Sequence, residues 1–492
     1  MQAQDSAALV RALARTLDAQ LIETHISWVL LSGDTAYKVK KPVRLPFVDY
    51  GTLAARKHFC EEEVRLNHRL APSLYLGTSR ITGTLQTPSI DGPGLPVLEY
   101  AVRMRRFAPG ALLGEQLAAG TLLADDVDQL ATMLGNFHER APRAEPALGL
   151  ASPTQRRASA LAAFEGARAL ASEAEGATLH AWLEAQAVAL APLWASRQAD
   201  GHVRECHGDL HLDNLVRLRD GIAAFDCIEF DPALRWIDVL DDAAFVVMDF
   251  AAHHRHDFAH RFINGWLDRT GDHGSLPALR FSVVYRALVR AQVEHLRRAQ
   301  GETARNYMET ALTWTQPGAA RLIITHGLPG SGKTFVSQRL LEREGAIRLR
   351  SDVERKRLFG LGMLDNSRAQ GFDLYDAGAT ARTYEHLFKT ARIALQAGFT
   401  VILDAAFLQR TERNQALALA RTLGVPFFIA ACEAPLAVLR ARLEARSGDA
   451  SEAGVAVLEQ LRTVADPLAS DERAFIYPLG NLQTHWTDSG ST

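Results

Sequence analysis

The feature that most restricts the fold of this chain is the segment LIITHGLPGSGKT, residues 322–334. A short apolar run is followed by a glycine-rich turn that fits the pattern G-x-x-x-x-G-K-[ST], and the residues after it have helical spacing. Glycines let backbone N–H groups converge on phosphate oxygens at the amino end of a helix, where the helix dipole also favours negative charge. The segment therefore predicts a nucleotide-binding loop that joins a buried strand to a helix.

The residues of this loop have distinct expected roles. Lys333 is expected to reach the β- and γ-phosphates of the nucleotide, and Thr334 is expected to bind Mg²⁺. The other predicted nucleotide-binding residues are Gly327, Gly330, Ser331 and Gly332. A later strand, VILDAAF, ends in Asp404, which is a second candidate ligand for Mg²⁺. The alternative for Asp404 is that it only caps a helix.

Two further segments predict where a phosphate acceptor binds. In RLRSDVERKRLFG, Asp352 and Arg355 are three residues apart on a starting helix, so the carboxylate could polarise an acceptor hydroxyl and the guanidinium could bind an anion. In VLRARLEARSGDASEAG, a helix ends in Arg440, Arg442 and Arg446, a pattern typical of a lid that closes over phosphates. The same residues could instead serve only as a helix cap and as partners of the helix dipole.

Together these features resemble the P-loop kinases of small molecules and polynucleotides, the group of zeta toxins, gluconate kinases and polynucleotide kinases. The resemblance covers about residues 320–485. It implies that Asp352 and Arg355 engage the acceptor and that Arg442 and Arg446 assist phosphoryl transfer. It does not select a substrate.

Earlier in the chain, the stretch HGDLHLDNL at residues 207–215 places charged and amide side chains between apolar residues. Asp209 and Asn214 have the five-residue spacing of a kinase catalytic loop, and Asp226 ends the apolar strand that follows. We expect Asp209 to accept or orient the proton of a hydroxyl group, and Asn214 with Asp226 to hold a metal ion against phosphates. His207 is expected to orient the loop through hydrogen bonds.

Upstream segments supply the other parts that such a site needs. AYKVKK places Lys38 two residues after an alanine, as on the third strand of a kinase, and Lys40 lies on the same strand face as a second candidate. The helical segment CEEEVRLN offers Glu62 or Glu63 as the acidic partner of the lysine, and the sequence does not choose between them. This arrangement resembles the aminoglycoside phosphotransferase and choline-kinase-like family over about residues 20–315.

The two resemblances predict two domains. We expect residues 1–317 to form an α+β, protein-kinase-like two-lobed domain, with a small lobe at about 20–107 and a large lobe at about 108–315. Residues 318–492 are expected to form an α/β P-loop NTPase domain with a parallel sheet, because strands and helices alternate there. The tandem order resembles bacterial two-domain proteins labelled as aminoglycoside phosphotransferase plus ATP-binding protein.

Composition limits the compartment and the partners. A formal net charge of −3 provides no overall basic field for nucleic acid or an anionic membrane. Four irregularly spaced cysteines favour a reducing cytoplasm over a disulfide framework, and the sequence lacks the run of about 18 apolar residues that a membrane span needs. His253, His256 and His260 are expected to share a polar helix surface rather than to bind a metal.

The sequence therefore predicts an ATP-dependent kinase with two Mg²⁺-dependent sites, each transferring the γ-phosphate to a hydroxyl group. The expected acceptors are hydroxylated small molecules, such as nucleotides or sugars, or a nucleic-acid end; no membrane partner is expected, and the oligomeric state is not predicted. In one alternative, a nucleotide-sensing domain regulates the other domain; in another, the chain is a zeta-toxin-like kinase of a nucleotide sugar. The presence of two candidate hydroxyl-activating carboxylates, Asp209 and Asp352, favours two active sites.

Overall fold

The chain folds into two compact units. The computed structural model describes residues 3–45, 48–298, 302–367, 374, 376–445 and 450–480. The first unit comprises Met1–Ala160 and Ala187–Val246, and the second comprises Leu161–Gln186 and Val247–Thr492. The segment with the predicted phosphate loop therefore shares a unit with helices that precede it in the chain.

The first unit begins with a helix and an antiparallel sheet. The elements are α1 (Ala3–Thr16), β1 (Gln20–Glu23), β2 (Ser27–Ser32), β3 (Thr35–Lys40), β4 (Arg44–Leu45), β5 (Val48–Asp49), β6 (Tyr75–Gly83), β7 (Pro88–Ile90) and β8 (Val97–Arg105). Six of these strands form one sheet in the order β1-β2-β3-β8-β6-β7. Leu9 and Leu13 of α1 pack with Leu30 and Val39 on one face of this sheet, because alternate strand residues point to the same side.

Between β5 and β6 the chain forms helix α2 (Leu53–Asn67), as its helical spacing predicts. The Thr52 hydroxyl accepts a hydrogen bond from the Ala55 N–H at 3.0 Å and caps the helix. The helix packs against β6 and β8, and its buried residues include Cys60 and Glu63. A buried glutamate requires charged or hydrogen-bonding partners, which two lysines of β3 supply.

The following region is mainly helical and contains two short antiparallel strand pairs. Its helices are α3 (Leu113–Ala118), α4 (Ala124–Arg140), α5 (Pro153–Ala167), α6 (Glu173–Ala199), α7 (Pro232–Arg235) and α8 (Val239–Ala252). Strand β9 (Val203–Glu205) pairs with β12 (Trp236–Asp238), and β10 (Leu215–Leu218) pairs with β11 (Gly221–Ala224). The stretch HGDLHLDNL ends where β10 begins, so the β10–β11 hairpin returns the chain to this stretch at Asp226.

Among the described residues, the last three helices before the phosphate loop lie in the second unit: α9 (His256–Thr270), α10 (Leu276–Arg298) and α11 (Glu302–Thr315). The predicted polar surface shared by His253, His256 and His260 is wrong, because α8 ends before His253 and a turn separates it from α9. His260 instead stacks on Trp314 with ring centroids 6.4 Å apart. Burial, with nearby positive charge, lowers the pKa of His260 to about 4.

Alternating strands and helices follow residue 318 and form the predicted parallel sheet. The strands are β13 (Leu322–His326), β14 (Ile347–Arg350), β15 (Val401–Asp404) and β16 (Phe427–Ala431). The helices are α12 (Lys333–Glu344), α13 (Ser351–Leu358), α14 (Ala377–Gln396), α15 (Arg410–Leu423), α16 (Leu436–Ala445) and α17 (Val455–Val464). The strand order is β14-β15-β13-β16, and the carboxyl ends of parallel strands form the edge at which such sheets bind ligands.

Helix α9 covers the free edge of this sheet through one asparagine. Asn264 donates from Nδ2 to the Ala346 carbonyl at 2.8 Å and accepts at Oδ1 from the Arg348 N–H at 2.6 Å. Asn264 is 1% exposed, and β14 is the first strand in the sheet order. The side chain therefore satisfies backbone groups that an edge strand leaves unpaired.

Length and apolar content together decide whether a helix can cross a bilayer. The longest are α6 with 27 residues and α10 with 23 residues. Charged side chains such as Arg286, Arg290 and Glu294 interrupt the apolar positions of α10. Among the described residues, no helix combines the length and the hydropathy that a bilayer crossing requires.

Candidate active sites

In the first unit, two lysines of β3 bind one buried glutamate of α2. Lys38 Nζ lies 2.9 Å from Glu63 Oε1, and Lys40 Nζ lies 2.6 Å from Glu63 Oε2. Glu62 instead pairs with Arg65 at 2.9 Å on the same helix. Of the two glutamates that the sequence offers, the structure brings Glu63 to the lysines.

Lys38 also contacts the carboxylate of Asp226. Burial opposes the ammonium charge, but Asp226 and Glu63 raise the pKa of Lys38 well above its usual value. Asp226 follows β11 with a φ of +63°, which is uncommon for a residue other than glycine. Its backbone N–H donates to the Tyr75 hydroxyl at 3.1 Å, so Tyr75 holds the turn that directs Asp226 toward Lys38.

Lys40 has a second carboxylate partner that sequence reasoning missed. Its ammonium contacts Glu229, which also accepts a hydrogen bond from the Tyr50 hydroxyl. All three side chains are buried. Burial opposes the charge of Lys40, but Glu229 and Glu63 raise its pKa above the usual value. Glu229 comes three residues after Asp226, and this spacing is the only signal of it in the sequence.

The stretch HGDLHLDNL brings Asp209 and Asn214 together. Asn214 Nδ2 donates to the Asp209 carbonyl at 2.9 Å and to the Asp209 carboxylate at 3.3 Å. The Phe225 N–H donates to the Asn214 carbonyl at 3.0 Å, which places Asn214 beside the residue that precedes Asp226. The first unit thus assembles one connected group of predicted residues: Lys38, Glu63, Asp209, Asn214 and Asp226.

Asp242 of α8 anchors this loop from its buried side. Its carboxylate accepts hydrogen bonds from the His207 N–H at 3.0 Å and the Gly208 N–H at 2.9 Å, and it lies 3.2 Å from His138 Nε2. Burial would raise the pKa of Asp242, but the hydrogen bonds from His138 and from the His207 N–H lower it. Asp242 therefore holds the loop as an ionised carboxylate.

The ring of His207 holds the loop at a second point. Its Nε2 lies 2.9 Å from the Phe225 carbonyl oxygen, so Nε2 carries a proton, and Nδ1 accepts from the Asp209 N–H at 3.3 Å. Burial lowers the pKa of His207. A neutral imidazole with both nitrogens engaged is suited to orient Asp209.

In the second unit, the glycine-rich loop leads from β13 directly into α12. Gly327 has a φ of +148°, and a Cβ atom there would lie 2.2 Å from the Cys432 carbonyl oxygen, so only glycine fits. Gly332 caps α12, which begins at Lys333. The Lys333 ammonium donates to the carbonyls of Gly327 at 2.9 Å and Leu328 at 3.0 Å. The other predicted loop residues are Gly330 and Ser331.

Most of the site residues predicted for this unit line a cavity of about 530 Å³. Its lining includes Gly330, Gly332, Lys333, Thr334, Asp352, Arg355, Asp404 and Arg442. Asp352 lies 3.6 Å from Arg355, and Arg442 of α16 donates to the Gly330 carbonyl at 3.2 Å. The structure therefore brings one predicted lid arginine to the loop, whereas Arg446 lies outside the described residues.

Asp404 ends β15, the strand next to β13. Its carboxylate is 4% exposed and accepts a hydrogen bond from the Ser337 hydroxyl at 2.9 Å. Thr334 and Asp404 line the same cavity, and hydroxyl and carboxylate oxygens are ligands that Mg²⁺ prefers. The amide and carboxylate oxygens of Asn214 and Asp226 in the first unit are of the same kind. Both donor sets fit a magnesium ion.

Part of the polar lining of the cavity was not singled out from the sequence. It includes Arg350, Thr380, Tyr384, Gln409 and Glu412. Arg350 ends β14 and lies beside Asp404 in the register of the parallel sheet. Its position two residues before Asp352 is a signal, but arginines at strand ends are also common on solvated surfaces.

The two groups offer the same three functions through different residues. A carboxylate can accept a proton from a hydroxyl group, as Asp209 or Asp352. A lysine can bind phosphate oxygens, as Lys38 or Lys333. Oxygen donors can hold a divalent cation at each site. This combination is typical of phosphoryl transfer.

Comparisons with known proteins find two family models, each over a different part of the chain. A family model described as a phosphotransferase enzyme family matches residues 94–279, and one described as an AAA domain matches residues 322–468. The uncharacterized protein Rv2004c of Mycobacterium tuberculosis is 31% identical over 446 residues, which are 88% of this chain and 87% of that protein. The uncharacterized protein Mb2027c of Mycobacterium bovis has the same identity and coverage.

Solved structures of kinases also resemble parts of the chain. A choline kinase from Cryptosporidium parvum Iowa II has a TM-score of 0.38 and 10% identity, covering 63% of this chain and 94% of that one. A sugar kinase from Janibacter sp. HTCC2649 has a TM-score of 0.26 and 19% identity, covering 34% of this chain and 91% of that one. A gluconokinase from Sinorhizobium meliloti 1021 has a TM-score of 0.25 and 14% identity, covering 34% and 89%.

Proposed function

The chain belongs to the same family as the uncharacterized protein Rv2004c of Mycobacterium tuberculosis, and we propose that it transfers the γ-phosphate of ATP to hydroxyl groups at two separate sites. It is an ATP-dependent kinase that combines two phosphotransferase-type parts. One observation carries the proposal of two working sites. Each unit holds its own candidate proton acceptor, phosphate-binding lysine and oxygen donors for a metal ion.

In the first unit, we assign to Asp209 the role of orienting the acceptor hydroxyl. The hydroxyl oxygen bonds to the γ-phosphorus, the bond from that phosphorus to the β–γ bridging oxygen breaks, ADP leaves, and the hydroxyl proton passes to Asp209. Lys38 binds phosphate oxygens, and Glu63 fixes the position of Lys38. When bound, Mg²⁺ supplies charge neutralisation of the phosphates, and Asn214 and Asp226 would hold it.

In the second unit, the γ-phosphoryl group passes to a hydroxyl oxygen in the same way, but other residues take part. Asp352 receives the hydroxyl proton, and Lys333 binds the phosphate oxygens together with the backbone N–H groups of the loop. Arg442 of α16, which donates a hydrogen bond to the loop, stabilises the charge that develops on the transferred group. Thr334 and Asp404 would hold Mg²⁺ at this site.

We propose small hydroxylated molecules as the acceptors. The cavity volume of about 530 Å³ in the second unit is within the range of small-molecule sites. We propose a sugar or a nucleotide as the acceptor of this site.

Single and double variants of the two carboxylates test the proposal. The full chain, Asp209→Asn, Asp352→Asn and the double variant are incubated with ATP labelled in its γ-phosphate and a small-molecule metabolite extract. Each single variant is expected to lose its own labelled products, and the double variant is expected to lose all of them. Asp220→Asn, an exposed change in the β10–β11 turn, is the matched control. If one single variant abolishes all labelling and the other abolishes none, one unit only regulates, and the proposal fails.

A further inference from the structure

The cavity in the second unit has a loop side and an opposite side. In the strand order β14-β15-β13-β16, the phosphate loop follows β13, Asp404 ends β15, and β14 lies beyond it. The residues that border the cavity at the end of β14 are Arg350, Ser351, Asp352 and Arg355. These residues therefore face a bound γ-phosphate from the side on which an acceptor must approach.

Two of the cations that line the cavity lie on this opposite side. Among the described lining residues, the cations are Lys333, Arg350, Arg355 and Arg442. Lys333 and Arg442 are bonded to carbonyls of the loop itself, so they belong to the nucleotide. Arg350 and Arg355 remain on the acceptor side, two residues before and three residues after Asp352 in the chain, and all three line the cavity. A hydroxyl group that reaches Asp352 therefore enters a cavity that both arginines also line.

A buried carboxylate from α9 fixes one of these arginines. Asp268 lies 3.8 Å from Arg350 and 3.6 Å from Arg348. Asp268 is 7% exposed, so one buried carboxylate faces two guanidinium groups. An arginine that is held in place loses less side-chain entropy when it binds a planar anion. Asp268 is thus a positioning residue for Arg350.

Resting on the proposed function of this site, we propose that its acceptor is a small molecule that carries a negative charge of its own, a carboxylate or a phosphate, bound by Arg350 and Arg355. Guanidinium groups match the geometry of both anions and can donate two hydrogen bonds to each. A hydroxyl group elsewhere in the same molecule lies at Asp352. Its oxygen bonds to the γ-phosphorus, ADP leaves, and its proton passes to Asp352.

Fractionated metabolites test this assignment although the acceptor molecule itself is unidentified. The full chain with Asp209→Asn, which silences the first site, is incubated with γ-labelled ATP. The probes are two fractions of a small-molecule bacterial extract, one retained on an anion-exchange resin at neutral pH and one not retained. Labelled product is expected from the retained fraction. A 5′-hydroxyl oligonucleotide is a third probe, and its labelling would overturn the assignment to a small molecule.

Variants identify the residues that hold the anion. Arg350→Ala is expected to lower labelling of the retained fraction at least about tenfold, the loss of one charged hydrogen-bonded contact, while Arg350→Lys keeps part of it. Arg392→Ala, an exposed change on α14, is the matched control and is expected to have no effect. Asp268→Asn is expected to raise the apparent KM for the retained fraction roughly threefold or more at unchanged kcat, which loss of fold would not produce.

The other outcomes separate this inference from the proposed function. Labelling of the unretained fraction would overturn the anionic acceptor while leaving phosphate transfer by the site intact. Labelling of the retained fraction that Arg350→Ala does not reduce would overturn the role of Arg350. If neither fraction is labelled although the unsubstituted chain labels products through its first site, the proposed function of the second site fails, and this inference fails with it.

Discussion

Glu63 neutralises two ammonium groups in the interior of the first unit. Glu63→Gln keeps the shape of the side chain but removes the negative charge between Lys38 and Lys40, so we expect the free energy of unfolding to fall by about 3 kcal/mol. Phosphate transfer by the first site is expected to fall at least about tenfold, because Lys38 loses its fixed position. Thermal denaturation and the labelling assay, in a Lys333→Ala background, measure both effects.

Glu62→Gln is the matched control on the same helix. Glu62 is partly exposed and pairs with Arg65, so its loss is expected to cost about 1 kcal/mol or less. Equal losses of activity in Glu62→Gln and Glu63→Gln would contradict the assignment of Glu63 as the partner of Lys38.

At the scale of single residues, spacing predicts the parts of a site that belong to one segment. The separation of Asp209 and Asn214 can be read from the chain, and the structure places these side chains within hydrogen-bonding distance. Glu229 and Asp242 could not be predicted in this way. Each of these carboxylates contacts a buried partner from a distant segment of the chain. Packing, and not the local sequence pattern, decides which carboxylate meets that partner.

The phosphate loop depends on a backbone conformation that only glycine adopts. A side chain at Gly327 would meet the Cys432 carbonyl oxygen at 2.2 Å, so Gly327→Ala must displace the loop or the backbone that follows β16. We expect the Kd of the second site for ATP to rise about tenfold or more. Nucleotide titration of a chain whose first site is inactivated by Asp226→Asn measures the change.

Gly424→Ala is the matched control, because it strains the backbone at a positive φ but brings no Cβ atom into a clash. Gly424 caps α15 with a φ of +66°, and nothing lies within 4 Å of a Cβ atom there. It is expected to cost about 1 kcal/mol of stability and to leave ATP binding unchanged. A similar loss of ATP affinity in both variants would show that crowding at the loop is not the cause.

The contact between α9 and β14 gives a prediction about stability. Asn264→Ala leaves the Ala346 carbonyl and the Arg348 N–H buried without this partner, so the free energy of unfolding of the second unit is expected to fall by about 2 to 4 kcal/mol. Asn414→Ala, an exposed change on α15, should alter it by less than about 1 kcal/mol. Thermal denaturation followed by circular dichroism distinguishes the two, and equal midpoints would contradict the role given to Asn264.

For the whole molecule, buried neutral histidines predict how stability responds to acid. Burial lowers the pKa of His207, His260, His273 and His326. Each binds a proton more readily in the unfolded chain, where its pKa is about 6.5, so acid favours unfolding. The free energy of unfolding is expected to fall as the pH drops from about 6.5 toward 4, and these groups have no effect at higher pH.

His260 has the pKa value that makes this prediction testable at one position. Because its pKa is about 4, His260 is expected to lower the free energy of unfolding by up to about 3 kcal/mol as the pH falls from about 6.5 to 4. His260→Gln is expected to reduce the fall of the melting temperature between pH 7 and pH 4.5, and His180→Gln, an exposed change on α6, is expected to leave it unchanged. An unaltered pH dependence in His260→Gln would refute the argument.

The sequence predicts the architecture of the chain well where the periodicity of a single segment identifies its strands and helices. The parallel sheet after residue 318 and the antiparallel strands before residue 106 follow from periodicity and turn residues. The sequence does not predict that α9 to α11 belong to the second compact unit. The amphipathic pattern of a helix shows that one face is buried, but it does not identify the element against which that face packs. As a division between functional domains, the boundary at 317–318 remains a prediction.

The Lys333 ammonium rests on the carbonyls of Gly327 and Leu328, and this has a consequence for turnover. The long side chain is already ordered, so an arriving phosphate replaces two neutral dipoles with a charged oxygen and does not have to immobilise a mobile lysine. When the product leaves, the ammonium bonds to the two carbonyls again. Because Lys333 exchanges one set of hydrogen-bond acceptors for another, it adds only modestly to the binding free energy of the nucleotide. A modest contribution favours rapid release of the product.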